Sequence, residues 1–335
     1  MTRLAPAAAL LALGGCAAVP AGYMGKGGGS GSAMLHPLAI GFTAIAFAVM
    51  AIIALLIALA VVRSRRAARA EGAVVARGKG GLDWIKWGVG LSFPVLLAMA
   101  VWSFAVTRAV GQVPPGTPLV IEVTAHRWWW EARYRGDVAG EDFTTANDIE
   151  IPVGRPVRLI LRSADVIHDF WVPRLGPKMD MIPGQVNQLV LRAEVPGDYL
   201  GECAEFCGME HGMMRFHAIA LDPAAFARWV AATRAPALVA DPAMPRNLGG
   251  EAKFVAACSS CHEVRGTAAG GVFGPDLTHF ASRTTIAAGV LPNTPAMRER
   301  WLAHTQEVKP GAMMPLVPMA DADRAALVAY LGELR

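Results

Sequence analysis

The chain has 335 residues, is 54% hydrophobic and only 17% charged, and carries a formal net charge of +4. Its length allows two or three domains, and its low charge excludes an intrinsically disordered chain. Residues 1–110 carry a net charge of +8, residues 111–245 one of −5, and residues 246–335 one of +1. Because the basic excess lies in the apolar first third, it indicates membrane topology and not a nucleic-acid-binding surface.

The first residues have the features of an exported lipoprotein. Arg3 precedes a short apolar stretch that ends in LGGC at residues 13–16, and this end resembles a bacterial lipobox. We therefore predict a lipoprotein signal peptide over residues 1–15 and a lipid on Cys16, the first residue of the mature chain. The alternative is that Cys16 is an ordinary thiol in an uncleaved leader. Residues 16–35, which are rich in glycine, are expected to form a flexible tether.

Two apolar stretches follow, and each is long enough to cross the roughly 30 Å hydrocarbon core of a membrane as a helix. We place transmembrane helices at residues 36–62 and 82–108. Between them, residues 63–81 contain six Lys or Arg residues and a single Glu. Since basic loops remain in the cytoplasm, this loop is predicted to be cytoplasmic. Both termini then lie on the outer, periplasmic face of a bacterial inner membrane that the chain crosses twice.

The outer part of the chain divides into a strand-rich region and a helical region. Residues 117–234 contain short Val-, Ile- and Leu-rich stretches between Gly, Pro and Asp turns, which is typical of a β-sandwich or small barrel. Residues 235–248 are rich in alanine and proline and are interpreted as a linker. Residues 249–335 have helical patterns, and the last helix is predicted to begin at Asp321. Four apolar side chains share one face of that helix: Leu327, Tyr330, Leu331 and Leu334.

The first of two close cysteine pairs lies in the sequence CAEFCGMEHGMM at residues 203–214, the cysteine loop. An oxidising periplasm would allow a disulfide here, but two thiols, an imidazole and a thioether are the soft donors that select copper. One thiol would serve a single blue copper, whereas two would bridge two copper ions, each of which needs a histidine. His211 lies in the loop, and His168, after a preceding strand, is the candidate for the second histidine.

The second pair, Cys258 and Cys261, lies in the sequence CSSCH that ends at His262. Cys-x-x-Cys-His is the pattern of covalent haem c, in which both thiols attach to the haem and the histidine binds the iron. A second axial ligand is expected downstream. Met313 and Met314, which precede a proline, are the candidates.

These motifs carry a family resemblance. Residues 152–220 resemble cytochrome c oxidase subunit II with an intact CuA centre, through IPVG at 151–154, DVIH at 165–168, LGPKMDMIPG at 175–184 and the cysteine loop. Residues 249–335 resemble a class I cytochrome c domain. The resemblance implies a multidomain membrane protein with a two-helix transmembrane hairpin, a cupredoxin-like Greek-key β-barrel and an all-α cytochrome c domain.

The resemblance also implies a dinuclear copper centre, CuA, and a Mg²⁺ ion shared with subunit I that would bind the side chain of Glu205. Two cysteines would bridge the copper ions, and each ion would take one histidine and one weaker ligand. The half-sites are His168 with the main-chain carbonyl of Glu205 and His211 with Met214, joined by Cys203 and Cys207.

In the cytochrome c domain, the resemblance implies that Met314, directly before the proline, is the second axial ligand, with Met313 as the alternative. The carbonyl of Pro275 would orient His262. Trp301 would pack on the haem.

Three further residues have implied roles outside the metal ligands. Trp128, in HRWWWE at residues 126–131, would be the residue through which electrons enter the copper centre. Asp165 would help to dock a basic cytochrome c. The family often has a glutamate at a proton-uptake site where this chain has Trp87, and Asp83 is the candidate substitute one turn earlier.

The implied function is subunit II of a terminal haem–copper cytochrome c oxidase. Such a subunit relays electrons from cytochrome c through its own haem c and CuA to haem a of subunit I, where O₂ becomes water and protons are pumped. Its partners would be oxidase subunits I and III, a cytochrome c donor and the membrane, but no nucleic acid. The alternatives are the CuA subunit of a nitric oxide reductase and a periplasmic copper-delivery protein, although His211 and Met214 would saturate a delivery site.

Overall fold

The computed structural model describes residues 27–69, 81–112, 119–136, 142–237 and 247–335. The predicted signal peptide, Cys16, residues 16–26 of the predicted tether, residues 70–80 of the basic loop and residues 238–246 of the linker lie outside the described residues. Along the chain come two long apolar helices, a domain of two β-sheets (the β domain) and a helical domain. This architecture confirms the predicted fold class.

Two apolar helices open the described part of the chain: α1 (Ser30–Arg69) and α2 (Gly81–Val110). Both are long and apolar enough to cross a membrane, with mean hydropathies of 3.2 and 2.0 in their most apolar windows. They contact each other where the ring of Trp102 meets Phe42, with centroids 6.2 Å apart. Both helices exceed the predicted segments 36–62 and 82–108, and the extension of α1 over residues 63–69 consists mostly of Arg and Ala, which are good helix formers.

The prediction of a flexible tether is wrong for residues 27–32, which we call the N-terminal arm. Gly28 N donates to the carbonyl of Arg174 at 2.8 Å, and the carbonyl of Gly28 accepts from Glu194 N at 2.7 Å. The hydroxyl of Ser32 donates to the same Arg174 carbonyl at 2.8 Å. Gly28 lies so close to the ring of Tyr199 that a side chain would overlap it. Glycine therefore provides close backbone approach here, and not only freedom of motion.

The β domain contains ten strands among the described residues. They are β1 (Leu119–His126), β2 (Trp129–Tyr134), β3 (Phe143–Ala146), β4 (Asp148–Pro152), β5 (Val157–Ser163), β6 (His168–Trp171), β7 (Met179–Met181), β8 (Asn187–Leu191), β9 (Gly197–Cys203) and β10 (Arg215–Leu221). One sheet has the order β3-β2-β1-β5-β8 and the other β4-β10-β9-β6-β7. Helix α3 (Pro223–Arg234) follows β10.

Alternation along the strands builds the core of the β domain. In β1, Ile121, Val123 and Ala125 are fully buried while their neighbours are partly exposed, as the two-residue period of a strand requires. Trp130 of β2 packs edge-on against Phe170 of β6, with ring centroids 5.7 Å apart. The two sheets therefore bury one continuous aromatic and aliphatic layer, which fixes the end of β6 where His168 lies.

The helical domain is built from four helices: α4 (Leu248–Ala257), α5 (Pro295–Ala303), α6 (Thr305–Val308) and α7 (Asp321–Glu333). Helix α7 begins at Asp321 as predicted, and the four apolar residues predicted to share its face are buried. It packs on α4 through Tyr330 and Phe254, whose ring centroids are 5.6 Å apart. A short ladder of β11 (Thr285–Ile286) and β12 (Leu291–Pro292) is a small departure from the predicted all-α domain.

Candidate metal centre and haem site

The cysteine loop connects two paired strands, and this connection brings its donor atoms together. Cys203 ends β9 and pairs with Phe170 of β6, so it lies beside His168 at the end of the same sheet. Gly208 has φ +117°, a conformation that favours glycine and reverses the chain after Cys207. A 3₁₀ helix at His211–Met213 then returns the chain to β10.

The six predicted donors converge around the two sulfurs. The Sγ atoms of Cys203 and Cys207 are 3.7 Å apart, and neither residue forms a disulfide. Cys203 Sγ lies 3.8 Å from His168 Nδ1 and 3.2 Å from the carbonyl oxygen of Glu205. The other two distances involve Cys207: its Sγ lies 3.7 Å from His211 Nδ1 and 3.8 Å from Met214 Sδ.

This arrangement fits soft metal ions. Metal–sulfur bonds of about 2.3 Å and metal–nitrogen bonds of about 2.0 Å place neighbouring tetrahedral donors about 3.5 Å apart, close to the observed separations. The donors fall into two groups, one on the side of each sulfur, with a histidine in each. Met214 is fully buried and directed at Cys207, whereas the neighbouring Met213 is exposed, so the geometry agrees with Met214 as the thioether donor that the resemblance implies.

A hydrogen bond joins the sulfurs of the two cysteines. Their sulfur–sulfur hydrogen bond lowers the pKa of Cys203 to about 3 against the opposing effect of burial, and it raises the pKa of Cys207. The hydrogen bond therefore favours the thiolate form of Cys203, and a thiolate is the form that binds a metal.

Asp165 lies beside the site, and its carboxylate contacts a predicted metal ligand. Its Oδ1 is 2.8 Å from His168 Nε2, and its carboxylate also accepts from the backbone N–H groups of Val166 and Arg127. Burial alone would raise the pKa of Asp165, but these hydrogen bonds outweigh it and lower the pKa. The carboxylate therefore orients the histidine, while the docking role of Asp165, which is partly exposed, stays a prediction.

Trp128 covers the cysteine loop, as the sequence predicted. Its indole Nε1 donates to the carbonyl of Cys207 at 3.0 Å, and its ring lies against Gly208, 3.1 Å from where a Cβ would stand. Trp130 belongs to the core, and Trp129 stacks on His126 at 4.2 Å. The three tryptophans therefore separate into one at the site and two that pack.

The haem motif follows α4, which ends at Ala257. The two thiols, Cys258 and Cys261, are partly buried and not in a disulfide. His262 Nδ1 lies 2.8 Å from the carbonyl of Pro275, as predicted, which leaves Nε2 available for iron. Burial lowers the pKa of His262, and the neutral imidazole is the form that ligates.

The two candidate methionines differ in exposure. Met313 is 77% exposed, whereas Met314 is only partly exposed. Gln306 holds this segment: its Nε2 donates to the carbonyls of Ala312 and Met314 at 2.8 and 3.1 Å, and its Oε1 accepts from Gly311 N. The geometry favours Met314, but its ligand role stays a prediction.

Four further site residues were predicted: Trp301, Glu205, Asp83 and Cys16. Trp301 packs against the core of the helical domain, and its contact with haem stays a prediction. The side chain of Glu205 is exposed and accepts from Phe206 N at 3.0 Å. Asp83 lies in the first turn of α2 and pairs with Lys86 at 3.1 Å, with both side chains exposed. Cys16 lies outside the described residues.

The sequence interpretation missed Gln306 and Lys309, which surround the segment 311–314. Lys309 is only 3% exposed. It precedes Pro310 and Gly311, and such a sequence is typical of a surface loop. No local pattern marks a lysine for burial, because its partners lie far away in the sequence.

The regions that contain the two sites match known protein families. Residues 136–220 match the family model of the cytochrome c oxidase subunit II periplasmic domain, and residues 249–335 match that of cytochrome c. Cytochrome c oxidase subunit 2 of Alkalihalophilus pseudofirmus is 40% identical over 217 residues, which cover 64% of this chain and 61% of that protein. The corresponding subunit of Bacillus sp. strain PS3 is 32% identical over 213 residues, 58% of this chain and 56% of that protein.

The matched stretch thus spans about three fifths of these relatives. A crystal structure of the periplasmic domain of subunit II of cytochrome oxidase from Bradyrhizobium japonicum is 28% identical, with a TM-score of 0.33, and covers 36% of this chain and 97% of that one. The two family matches imply copper in the β domain and haem c in the helical domain. The chain is therefore similar to the periplasmic domain of cytochrome c oxidase subunit II over residues 136–220 and to cytochrome c over residues 249–335.

Proposed function

We propose that the chain is subunit II of a terminal haem–copper cytochrome c oxidase and relays electrons from a cytochrome c donor to subunit I. The observation that carries this proposal is the convergence of two thiols, two imidazoles, a thioether and a carbonyl within 3.2–3.8 Å contacts. When bound, a dinuclear copper centre and haem c supply reversible one-electron transfer. Reduction of O₂ to water and proton pumping belong to subunit I.

The residues of the β domain hold the copper ligands in place and exclude water. His168 and Met214 are fully buried, and both cysteines are buried. The backbone N–H of Cys203 donates to the carbonyl of Met214 at 3.2 Å, which ties the two ends of the cysteine loop together. A loop fixed in this way keeps its donors in one geometry when an electron arrives or leaves, as rapid electron transfer requires.

The residues of the helical domain attach and orient haem c. The thiols of Cys258 and Cys261 would form the covalent links, and His262 would bind iron through Nε2 because its Nδ1 is engaged by Pro275. Met314 would provide the opposite ligand. Trp301, which packs on the core beside this region, would contact the haem.

Two rival functions are less well supported. A copper-delivery site must open to release its ion, whereas the two cysteines and Met214 are buried. A nitric oxide reductase subunit would have the same ligands, but the two relatives described above are named as oxidase subunits.

The proposal includes a position in the membrane and in the complex. We infer that α1 and α2 cross a bacterial inner membrane with the basic loop in the cytoplasm, so that both outer domains face the periplasm with Cys16 lipidated. The exposed side chain of Glu205 would reach a Mg²⁺ ion shared with subunit I, and subunit III would complete the assembly. Asp83 would stand at the proton-uptake side.

Metal and haem analysis of the purified full-length chain tests the copper part of this proposal. We expect two coppers and one covalent haem per chain, and an electron paramagnetic resonance spectrum whose hyperfine pattern shows one electron shared by two copper nuclei. Met214→Leu should change that spectrum, whereas the matched variant Met213→Leu, at an exposed neighbour, should not. A single copper per chain, or equal effects of the two variants, contradicts the dinuclear site.

A further inference from the structure

Lys309 connects the two outer domains through its side chain. Its Nζ donates to the carbonyl of Trp128 at 2.7 Å, to that of Ala287 at 3.1 Å and to that of Met213 at 3.4 Å. Trp128 and Met213 belong to the β domain, whereas Ala287 belongs to the helical domain. The three acceptors match the three N–H donors of an ammonium group.

Backbone groups close to these three acceptors form an interface between the two domains. The 287–289 turn of the helical domain lies against the start of β10, where Arg215 N donates to the carbonyl of Ala288 at 3.3 Å. Gly311, with φ +77°, faces the indole of Trp128: a Cβ there would stand 3.4 Å from the ring. Two segments of the helical domain thus enclose the end of the cysteine loop next to Met214.

The ammonium group of Lys309 has all three of its acceptors only when the β domain and the helical domain are in contact. Burial lowers the pKa of Lys309 to about 8, and the carboxylate of Glu210, itself buried in the cysteine loop, acts in the opposite direction. Burying an ammonium is costly unless hydrogen bonds replace its water shell. Here the replacing acceptors come from both domains, so they surround the ammonium together only when the domains are in contact.

We propose that Lys309 is a positioning residue, which fixes the helical domain on the β domain so that the 309–314 segment lies on Trp128. This inference rests on the proposed function, because it concerns one electron that leaves haem c and reduces the copper centre of the same chain. The segment that carries the candidate ligand Met314 touches Trp128, and Trp128 is hydrogen-bonded to Cys207.

The docked arrangement also restricts the external donor. Trp128 is only 7% exposed, because the cysteine loop and the helical domain cover it. A separate cytochrome c therefore meets the helical domain first and has no direct access to Trp128. Loosening of the interface would expose Trp128 to donors outside the chain.

The test begins with acylation of native full-length protein by an amine-reactive ester, followed by mass spectrometry. Lys309 should react at least about tenfold more slowly than Lys253, which is half-exposed and pairs with Asp323 at 2.9 Å. Equal labelling of the two lysines overturns the proposal. This measurement needs no variant and no bound cofactor.

The variant Lys309→Met retains an apolar side chain and removes the ammonium, and Lys253→Met is its matched control. In Lys309→Met, we expect faster hydrogen exchange at the amide of Arg215 and at least about a tenfold slower transfer of a photoinjected electron from haem to copper. Copper content, haem content and both reduction potentials should remain unchanged. If both variants behave alike, Lys309 has no positioning role. A wild-type chain without copper or haem would contradict the proposed function instead.

Discussion

The imidazole Nε2 of His168 lies 2.8 Å from Oδ1 of Asp165, while Nδ1 of the same ring faces Cys203 Sγ at 3.8 Å. A carboxylate on the far nitrogen fixes the tautomer and the ring orientation and makes the near nitrogen a better ligand. His168 is fully buried, so its orientation depends on these two side-chain partners and on packing.

The first prediction concerns the hydrogen bond of Asp165. Asp165→Asn keeps the shape of the side chain but replaces the charged carboxylate with a neutral amide, so the hydrogen bond that favours the ligating tautomer is weakened. We expect copper affinity to fall about 10–100-fold, measured by competition with a copper chelator in the purified full-length chain. Asp222→Asn is the control, because Asp222 is exposed and its side chain does not cap α3. An unchanged affinity in Asp165→Asn would mean that this hydrogen bond does not support copper binding.

The sequence was sufficient to locate the cysteine loop and the haem motif because the residues of each motif are local. Cys203, Cys207, His211 and Met214 fall within one loop, and the thiols and His262 of the haem motif lie within five residues, so spacing and chemistry restrict the geometry. The order of domains and the last helix were predictable for a similar reason, since apolar periodicity is a local property.

Contacts between distant segments were not predictable. The N-terminal arm looked like a tether because its glycines have no side chains to pack, yet it is the β domain that supplies the acceptors and donors for its backbone. Lys309 meets Trp128 across 181 positions of sequence. Asp165 was correctly placed near the site, but its role depends on which way the carboxylate points, and composition carries no such information.

The second prediction separates the two candidate axial ligands. Met314→Ala should convert the haem iron from low spin to high spin, because the loss of a strong axial ligand weakens the ligand field. Met313→Ala, at a position that is 77% exposed, should leave the spectrum unchanged. Optical spectra of the oxidised and reduced full-length chain distinguish these results. A high-spin haem in Met313→Ala alone would move the ligand to Met313.

The third prediction tests the N-terminal arm. Gly28→Leu places a side chain where the ring of Tyr199 lies, so the arm should detach from the β domain. Trypsin should then cleave after Lys26 faster, by about tenfold for each 1.4 kcal/mol of docking free energy that is lost. Ala33→Leu is the control, because Ala33 is exposed in the next turn. Equal cleavage of the wild-type chain and Gly28→Leu would contradict the docked arm. Copper content should not change, since the arm lies on Arg174 and Tyr199 and not on the cysteine loop.

The fourth prediction concerns the pH dependence of stability. Burial, and the neighbouring carboxylate of Asp148, raise the pKa of Glu150 to about 8, against the opposing charge of Arg283. In the unfolded chain Glu150 ionises near its ordinary pKa of 4.5. Between about pH 4.5 and pH 8 the folded chain therefore binds more protons than the unfolded chain, and the free energy of unfolding decreases as the pH rises.

Glu150→Gln keeps the size of the side chain and removes this titration. The variant should be more stable than the wild-type chain at pH 8 and should differ less from it at pH 5, with about 1.4 kcal/mol for each pKa unit by which the folded and unfolded states differ. Thermal unfolding of the full-length chain in detergent at pH 5, 6, 7 and about 8 measures the difference. Glu194→Gln is the matched control, because Glu194 is exposed and pairs with Arg192 at 3.0 Å on the surface. Parallel pH profiles for Glu150→Gln and the wild-type chain would mean that Glu150 is ionised inside the fold, with Arg283 as its counter-charge.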